Sequence, residues 1–534
     1  MFVRYISIFV AKFFNMSKYR ILWTDDEIEI LKPHILFLQN KNYEVITAVS
    51  GDEALDILHN DKNIDVVLLD ENMPGLSGLD TLQKIKQINI SLPVIMVTKS
   101  EEEHIMETAI GRQIADYLIK PINPNQVLIS LKKVLENKKL VTENTTQSYR
   151  QEFMDIMNSI QSANDWKTWI DVYKKIVYWD IQLDASEDKS MGDVLFTQKQ
   201  EANKEFARFI EKNYTSWLNK KTDDVPVMSH TLIKNKFLNQ ISLDNSLFLI
   251  VIDNLRYDQW KIIEPILSDY YKVESEEIYY SILPTTTQYA RNALFSGLLP
   301  SEIEKTFPQW WSNDEDEGGK NLYEENFFQA QLKRLTGKEI KFSFTKITQH
   351  HQAKKLMENL KQLLNNPLNV IVYNFVDMLS HARTQMDIIK ELAEDEPAYR
   401  SITKSWFIHS PLLDILKQLS EKKIPVVITT DHGTVHVKDP IRVLGDKNVN
   451  NNLRYKQGKA LEYNPKDVLE CKNPADFYLP KLHPSSRYIF AKEYGFFVYP
   501  NNYGQYVNLY KNTFQHGGVS LEEMLIPYVQ LMPR

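Results

Sequence analysis

The sequence predicts an α/β chain in three parts: a doubly wound N-terminal domain, a central helical bundle and a larger α/β domain. Three observations lead there. Short apolar runs alternate five times with helix-like stretches between Tyr19 and Pro121, and their polar residues collect at the carboxyl ends. Apolar residues then recur at helical spacing from Tyr149 to Leu218. Beyond Ile241, unbroken apolar strands such as Leu247–Ile252 end in carboxylates and imidazoles.

Length and composition set the bounds. The 534 residues allow two to four domains, and 43% apolar residues suffice for real cores. A single cysteine, Cys471, excludes a disulfide framework and thiolate-rich zinc sites, so a reducing cytoplasm is the expected home. The net charge of -7 argues against an overall nucleic-acid-binding surface and leaves a local basic patch open. The apolar core within Met1–Asn15 is too short and interrupted to span a bilayer. Met16 is the expected start. The expected parts are an extension over residues 1–16, domains over 17–137 and 236–534, and a linker with helical bundle over 138–235.

In the first domain, Tyr19–Thr24 reads as a strand ending in Asp25-Asp26-Glu27, with a helix from about Ile28. A strand over Glu44–Val49 and a helix over Asp52–His59 follow. Then come Ile64–Leu69 ending in Asp70, Leu92–Val97 ending in Thr98, and Asp116–Ile119 ending in Lys120-Pro121. Asp25, Asp26 and Asp70 make an oxygen-rich Mg²⁺ site that neutralises a phosphoryl group arriving at Asp70. Lys120 and the Thr98 hydroxyl suit the phosphoryl oxygens, and Lys120-Pro121 is a candidate cis peptide. Taken singly, Asp26 reads equally as a helix cap and Lys120 as a solvated charge. Five such residues in register do not.

The segment Ser17–Asn137 thus resembles a two-component receiver domain. The resemblance implies that a partner histidine kinase phosphorylates Asp70 and that Thr98 reports the event to an output surface. Thr142–Gln147 reads as a short polar linker, and the tryptophans of Tyr149–Leu218 read as helix contacts rather than a binding surface.

The last domain carries the second chemistry. Pro425–Ile428 leads into Thr429-Thr430-Asp431-His432-Gly433, Leu247–Ile252 into Asp253, and Val370–Val376 into Asp377-Met378-Leu379-Ser380-His381. His516-Gly517-Gly518 precedes the apolar Met524–Pro527. Three aspartates and three histidines at one sheet edge suit two zinc-like ions, because imidazole and carboxylate are what zinc takes when no thiolate is offered. Thr285, Thr286 and Thr287 after Pro284 offer hydroxyl nucleophiles, and a helix from Thr287 would aim free N–H groups at an anion. Arg256 and Arg291 read either as phosphate contacts or as partners of structural carboxylates.

This ordered set resembles the alkaline phosphatase superfamily, in particular its PglZ-type branch, from about Ile241 to the end. The resemblance implies that one zinc takes Asp377, His381 and His516, and the other Asp253, a threonine, Asp431 and His432. Similarity to the Pro-Thr-x-Thr pattern of threonine phosphodiesterases assigns the nucleophile to Thr287. Ser301–Phe344 and Asp439–Tyr488 read as insertions that cap the site. The acidic run Asp314–Gly319 reads as a solvated loop, and His350, His351 and His436 as surface or supporting residues.

Receiver, helical module and PglZ-type domain in that order resemble the response regulators tied to type IX secretion and gliding. That resemblance implies a phosphorylation-controlled zinc phosphodiesterase acting on nucleotides or oligonucleotides. It also implies a homodimer on phosphorylation, a sensor histidine kinase of the PorY kind, an alternative sigma factor and the cytoplasmic part of the secretion motor. A catalytically silent adaptor for the sigma factor and secretion components is the alternative. Direct promoter binding is a third reading, which lacks a basic recognition-helix module.

Overall fold

The computed structural model describes residues 19–534 apart from 62, 90–91, 100–113, 187–188, 220–223, 243–244, 315, 317, 375, 377–393 and 446–449. The extension before Tyr19 and the pair Asp377 and His381 therefore lie outside the described residues. The chain divides into two compact units, with the boundary after Gln147.

The N-terminal unit contains strands β1 (Arg20–Thr24), β2 (Glu44–Ala48), β3 (Val66–Asp70), β4 (Val94–Thr98) and β5 (Asp116–Ile119). They form one parallel sheet in the order β2-β1-β3-β4-β5. Strands β3 and β4 are buried along their whole length, which explains why they read as unbroken apolar runs. Helices α1 (Lys32–Asn40), α2 (Gly51–Asn60) and α3 (Gly78–Ile88) connect them. Helix α1 starts later than expected from Ile28, because Pro33 presets its first turn and the residues before it form turns. Ser50 and Ser77 cap α2 and α3 through their hydroxyls. Pro93 stays outside β4, since it has no N–H to give the ladder.

Helix α4 runs from Pro124 to Ser162. The polar stretch Thr142–Gln147, expected as a linker, lies inside it: with neither glycine nor proline, nothing there breaks the helix.

The second unit holds the end of α4, helices α5 (Trp166–Ala185) and α6 (Gly192–Leu218), and the larger α/β domain. Its main sheet uses β6 (Leu247–Ile252), β7 (Tyr271–Tyr280), β8 (Phe342–Ile347), β9 (Leu368–Tyr373) and β10 (Val426–Thr429). Short strands β11 (Val435–His436), β12 (Asp439–Arg442), β13 (Tyr455–Gly458), β14 (Val468–Cys471), β15 (Arg487–Ala491), β16 (Gly495–Val498) and β17 (Phe514–Gln515) precede the long β18 (Leu525–Pro533). The order is β7-β18-β10-β6-β9-β8, with β10, β6, β9 and β8 parallel and β18 antiparallel to β10 and β7. Helices α7 (Tyr257–Leu267) and α8 (Glu396–His409) complete the elements that position the site.

One hydrophobic core runs from Tyr149 through Trp169, Phe206 and Trp217 into β6, β9, β10 and β18. The helical module is thereby packed as part of the C-terminal unit. Trp169 packs edge-on or tilted against Phe206 and Phe209, and Trp217 against Phe209 and Tyr280, so both tryptophans are core. Among the described residues, no helix is long and apolar enough to cross a membrane.

Candidate metal centres

In the N-terminal unit the parallel sheet brings Asp25, Asp26 and Asp70 together at the carboxyl ends of β1 and β3, with ligand oxygens within 4.8 Å of one another. This is the point where the strand order reverses. Lys120 Nζ lies 2.8 Å from Asp25 Oδ2 and 3.1 Å from Asp70 Oδ1, and the Lys120-Pro121 bond that follows is cis. Thr98 ends the neighbouring strand, buried beside them. Burial raises the Asp70 carboxyl; Lys120 pulls it back, and Asp25 and Asp26 push it further up. Only oxygen donors converge here, which fits a hard divalent cation such as Mg²⁺.

The second constellation forms where β6 and β10 run parallel. Asp253 follows β6, Asp431 and His432 follow β10, and their ligand atoms lie within 4.8 Å of one another, all buried. His432 Nε2 stands 3.8 Å from Asp253 Oδ1 and 3.7 Å from Asp431 Oδ2. Its Nδ1 faces the Gly433 carbonyl at 3.0 Å, and donation there leaves the Nε2 lone pair turned toward the carboxylates. Asp431 Oδ1 accepts from the backbone of Asn254 and His432 at 3.3 and 3.1 Å. Asp431 Oδ2 is buried without a hydrogen-bond donor among the described residues, an acceptor left for a cation.

The threonine cluster is sorted by its surroundings. The Thr285 hydroxyl is spent on the backbone, accepting from Gly517 N and donating to Gly518 O, both at 3.0 Å. The Thr286 hydroxyl is buried with no hydrogen-bond partner among the described residues. Thr287 is the more accessible one: its Oγ1 lies 3.1 Å from His432 Nε2 and 3.4 Å from Asp253 Oδ1. Two carboxylates, an imidazole and a hydroxyl thus converge on one point, a donor set that fits zinc. His516 joins them from the other side, its ring stacked on His432 at 4.4 Å between centroids. The turn carrying Thr287 is wider than an α-helix over Thr287–Arg291 and passes into Asn292–Ser296.

Both arginines pair with carboxylates. Arg256 holds Asp258 at 2.8 and 2.5 Å. Arg291 lies 2.8 Å from Asp253 Oδ2 and 2.6 Å from Glu324. Burial opposes the Arg291 charge, yet Asp253, Glu324 and Asp431 together raise its pKa. Glu324 escaped the sequence reading, because nothing in the segment Leu322–Glu325 says that it faces inward.

Both insertions reach the Thr287 turn, the second through Tyr455, whose ring meets that of Tyr289 edge-on at 5.9 Å between centroids. Asn321 donates to the Thr287 carbonyl at 3.0 Å and Gln288 to Ser312 O at 3.0 Å. Asp314, expected in a solvated loop, is instead half-buried and accepts from Asn450 and Tyr455, both at 2.9 Å, joining the two insertions. Of the two roles expected for His436, surface or supporting, its burial and its stacking on Phe514 at 4.8 Å fit the second. His351 is exposed.

The comparisons with known proteins fall on the same three parts. A profile described as the BREX system PglZ alkaline phosphatase-like domain matches residues 232–531. The PorX response regulator linker domain matches 139–218, and the response regulator receiver domain matches 21–132. The response regulator SaeR of Staphylococcus aureus is 31% identical over 119 residues, covering 22% of this chain and 51% of SaeR. The chain therefore spans about half the length of the curated relatives it matches. A receiver domain from Clostridium thermocellum is 35% identical, covering 23% of this chain and 98% of that one, with a TM-score of 0.22. Chemotaxis protein CheY4 of Vibrio cholerae is 29% identical, covering 22% of this chain and all of that one, with a TM-score of 0.21. The output domain carries the alkaline phosphatase-like profile and the N-terminal unit the receiver profile. With the PglZ profile over more than half of its length, the chain belongs to the PglZ alkaline phosphatase-like family, and the receiver and linker ahead of that domain make it a PorX-type response regulator with a PglZ output domain.

Proposed function

We propose that the protein is a response regulator in which phosphorylation of Asp70 controls a zinc-dependent phosphodiesterase acting on nucleotides or oligonucleotides, in the service of type IX secretion and gliding. The observation that carries the enzymatic half is the Thr287 hydroxyl, 3.1 Å from His432 Nε2 and 3.4 Å from Asp253 Oδ1, beside the undonated Asp431 Oδ2. Asp253, Asp431, His432 and Thr287 would hold one ion, and His516 with Asp377 and His381 the other. Bound zinc supplies Lewis acidity to a phosphoryl oxygen and favours the alkoxide of a ligating hydroxyl.

Thr287 Oγ attacks phosphorus, the ester oxygen leaves with a proton, and water later hydrolyses the phosphothreonine, returning the hydroxyl. The Nδ1 contact of His432 fixes which ring nitrogen faces the reaction. Arg291 holds the outer oxygen of Asp253 and so keeps the inner one turned to Thr287. In the receiver, Asp25, Asp26 and Asp70 would hold Mg²⁺, Thr98 and Lys120 would contact the phosphoryl oxygens, and the phosphorylated form would dimerise. The sensor kinase, an alternative sigma factor and the cytoplasmic part of the secretion motor are the partners this reading carries.

Turnover of bis(p-nitrophenyl) phosphate by the zinc-loaded protein tests it. Thr287→Ala is expected to lose at least ~10³-fold in kcat with zinc retained, the scale on which a covalent nucleophile matters. A second reading, a silent adaptor with structural zinc, is favoured by the Arg291 guanidinium lodged against Asp253. Zinc-replete wild type that turns over no phosphodiester establishes the adaptor.

A further inference from the structure

Two residues one turn apart on α6, Lys199 and Asn203, reach out of the helical module toward three loops that carry proposed zinc ligands. Lys199 Nζ lies 3.2 Å from Asp180 Oδ2 of α5 and donates to Glu396 Oε2 at the start of α8. Glu396 stands 3.7 Å from Arg256, which also holds Asp258. Arg400 closes the cluster, 2.8 Å from Asp180 and 3.2 Å from Asp258. Arg256 comes three residues after Asp253 in sequence, and the backbone between them is tied to Asp431 Oδ1 and Thr430 Oγ1 at 3.3 and 3.0 Å. One arm of the network therefore ends at Asp253.

Asn203 supplies the other arm. It accepts from Leu521 N at 2.8 Å and donates to Glu522 Oε2 at 3.1 Å. The next residue, Glu523, accepts from Gly518 N at 2.9 Å in the His516-Gly517-Gly518 turn. Its carbonyl accepts from Gly433 N at 3.1 Å, directly after His432. A single face of α6 thus grips the loops of Asp253, His432 and His516.

Stability alone does not account for so many buried charges. Lys199, Arg256, Arg400 and Asp258 are all at most 7% exposed as side chains. Replacing such a cluster by apolar groups is often neutral, or stabilising by ~1–4 kcal/mol. Burial works against the Lys199 charge, and Asp180 and Glu396 outweigh it, so the ammonium stays protonated well above the ordinary lysine range. What a charged, ion-paired network supplies is fixed direction, which packed leucines do not.

Resting on the zinc reading above, we propose that Lys199 and Asn203 are positioning residues of the metal centre: α6 holds its ligand loops in register, and the grip on zinc depends on where α6 sits. The test uses the full-length protein and competition for zinc by a chromophoric chelator, alongside thermal melting and phosphodiester turnover. Lys199→Met and Asn203→Ala are each expected to melt cooperatively and to bind zinc ~10–100-fold more weakly, the usual cost of losing a group that supports a ligand. Lys199→Arg restores most of the affinity. Cooperatively folded Lys199→Met and Asn203→Ala with wild-type zinc affinity overturn the proposal, and if Lys199→Met does not fold, Asn203→Ala decides by the same criterion. Zinc-bound wild type without turnover defeats the enzymatic reading and leaves the zinc competition to judge this one.

Discussion

Thr285, Thr286 and Thr287 are identical in chemistry and adjacent in sequence, yet their hydroxyls have three different fates. Thr285 is bound at both ends to the Gly517-Gly518 backbone, so Thr285→Val leaves a buried N–H and C=O unpaired. A loss of ~1–3 kcal/mol in denaturant unfolding is expected, the cost of such orphans. Thr286→Val removes a buried hydroxyl that has no partner among the described residues, so its melting temperature should match or exceed that of wild type. Lys456 shows the same dependence on surroundings: burial lowers its amine to about 7, although it donates to Asn450 O at 2.7 Å. Between that value and the ordinary lysine range the unfolded chain binds more protons than the folded one, so stability rises with pH there. Lys456→Met should therefore gain most over wild type at neutral pH and lose the advantage as pH climbs toward 10, read from melting temperatures across that interval.

Among elements, the close approach of the β10 loop to the Ser520–Met524 turn fixes the relation of His432 to His516. Gly433 makes the approach feasible: a Cβ there would stand 2.0 Å from the Glu522 carbonyl oxygen, a backbone atom that cannot rotate aside. Gly433→Ala should cost ~1–3 kcal/mol by overpacking and weaken zinc binding together with stability, since the atom that must move adjoins a ligand loop. Paired melting and zinc-competition curves measure both. Across the opposite rim, Arg454 donates to Glu523 Oε1 at 3.2 Å, so the second insertion also supports the loop of His516.

For the molecule as a whole, the receiver cluster and the zinc-type cluster belong to separate compact units, each with its own donor set. Asp70→Ala should abolish dimerisation induced by a small phosphoryl donor, read by light scattering, while metal analysis finds the output-domain ions still bound. An Asp70→Ala protein that dimerises normally removes Asp70 as the switch.

By itself the sequence determined the strands that carry chemistry. Buried parallel strands must be apolar on both faces, and the residues that end them must be polar, so Asp25, Asp70, Asp253, Asp431 and His432 stand out at the ends of runs such as Val66–Leu69 and Leu247–Ile252. The resemblance already names Thr287; the tertiary structure alone decided how the three threonine hydroxyls are surrounded, that Asp314 is half-buried between two insertions, and that α6 reaches the site through Lys199 and Asn203. Those outcomes depend on contacts between residues up to 319 positions apart, where the partner and not the local pattern sets a side chain's surroundings.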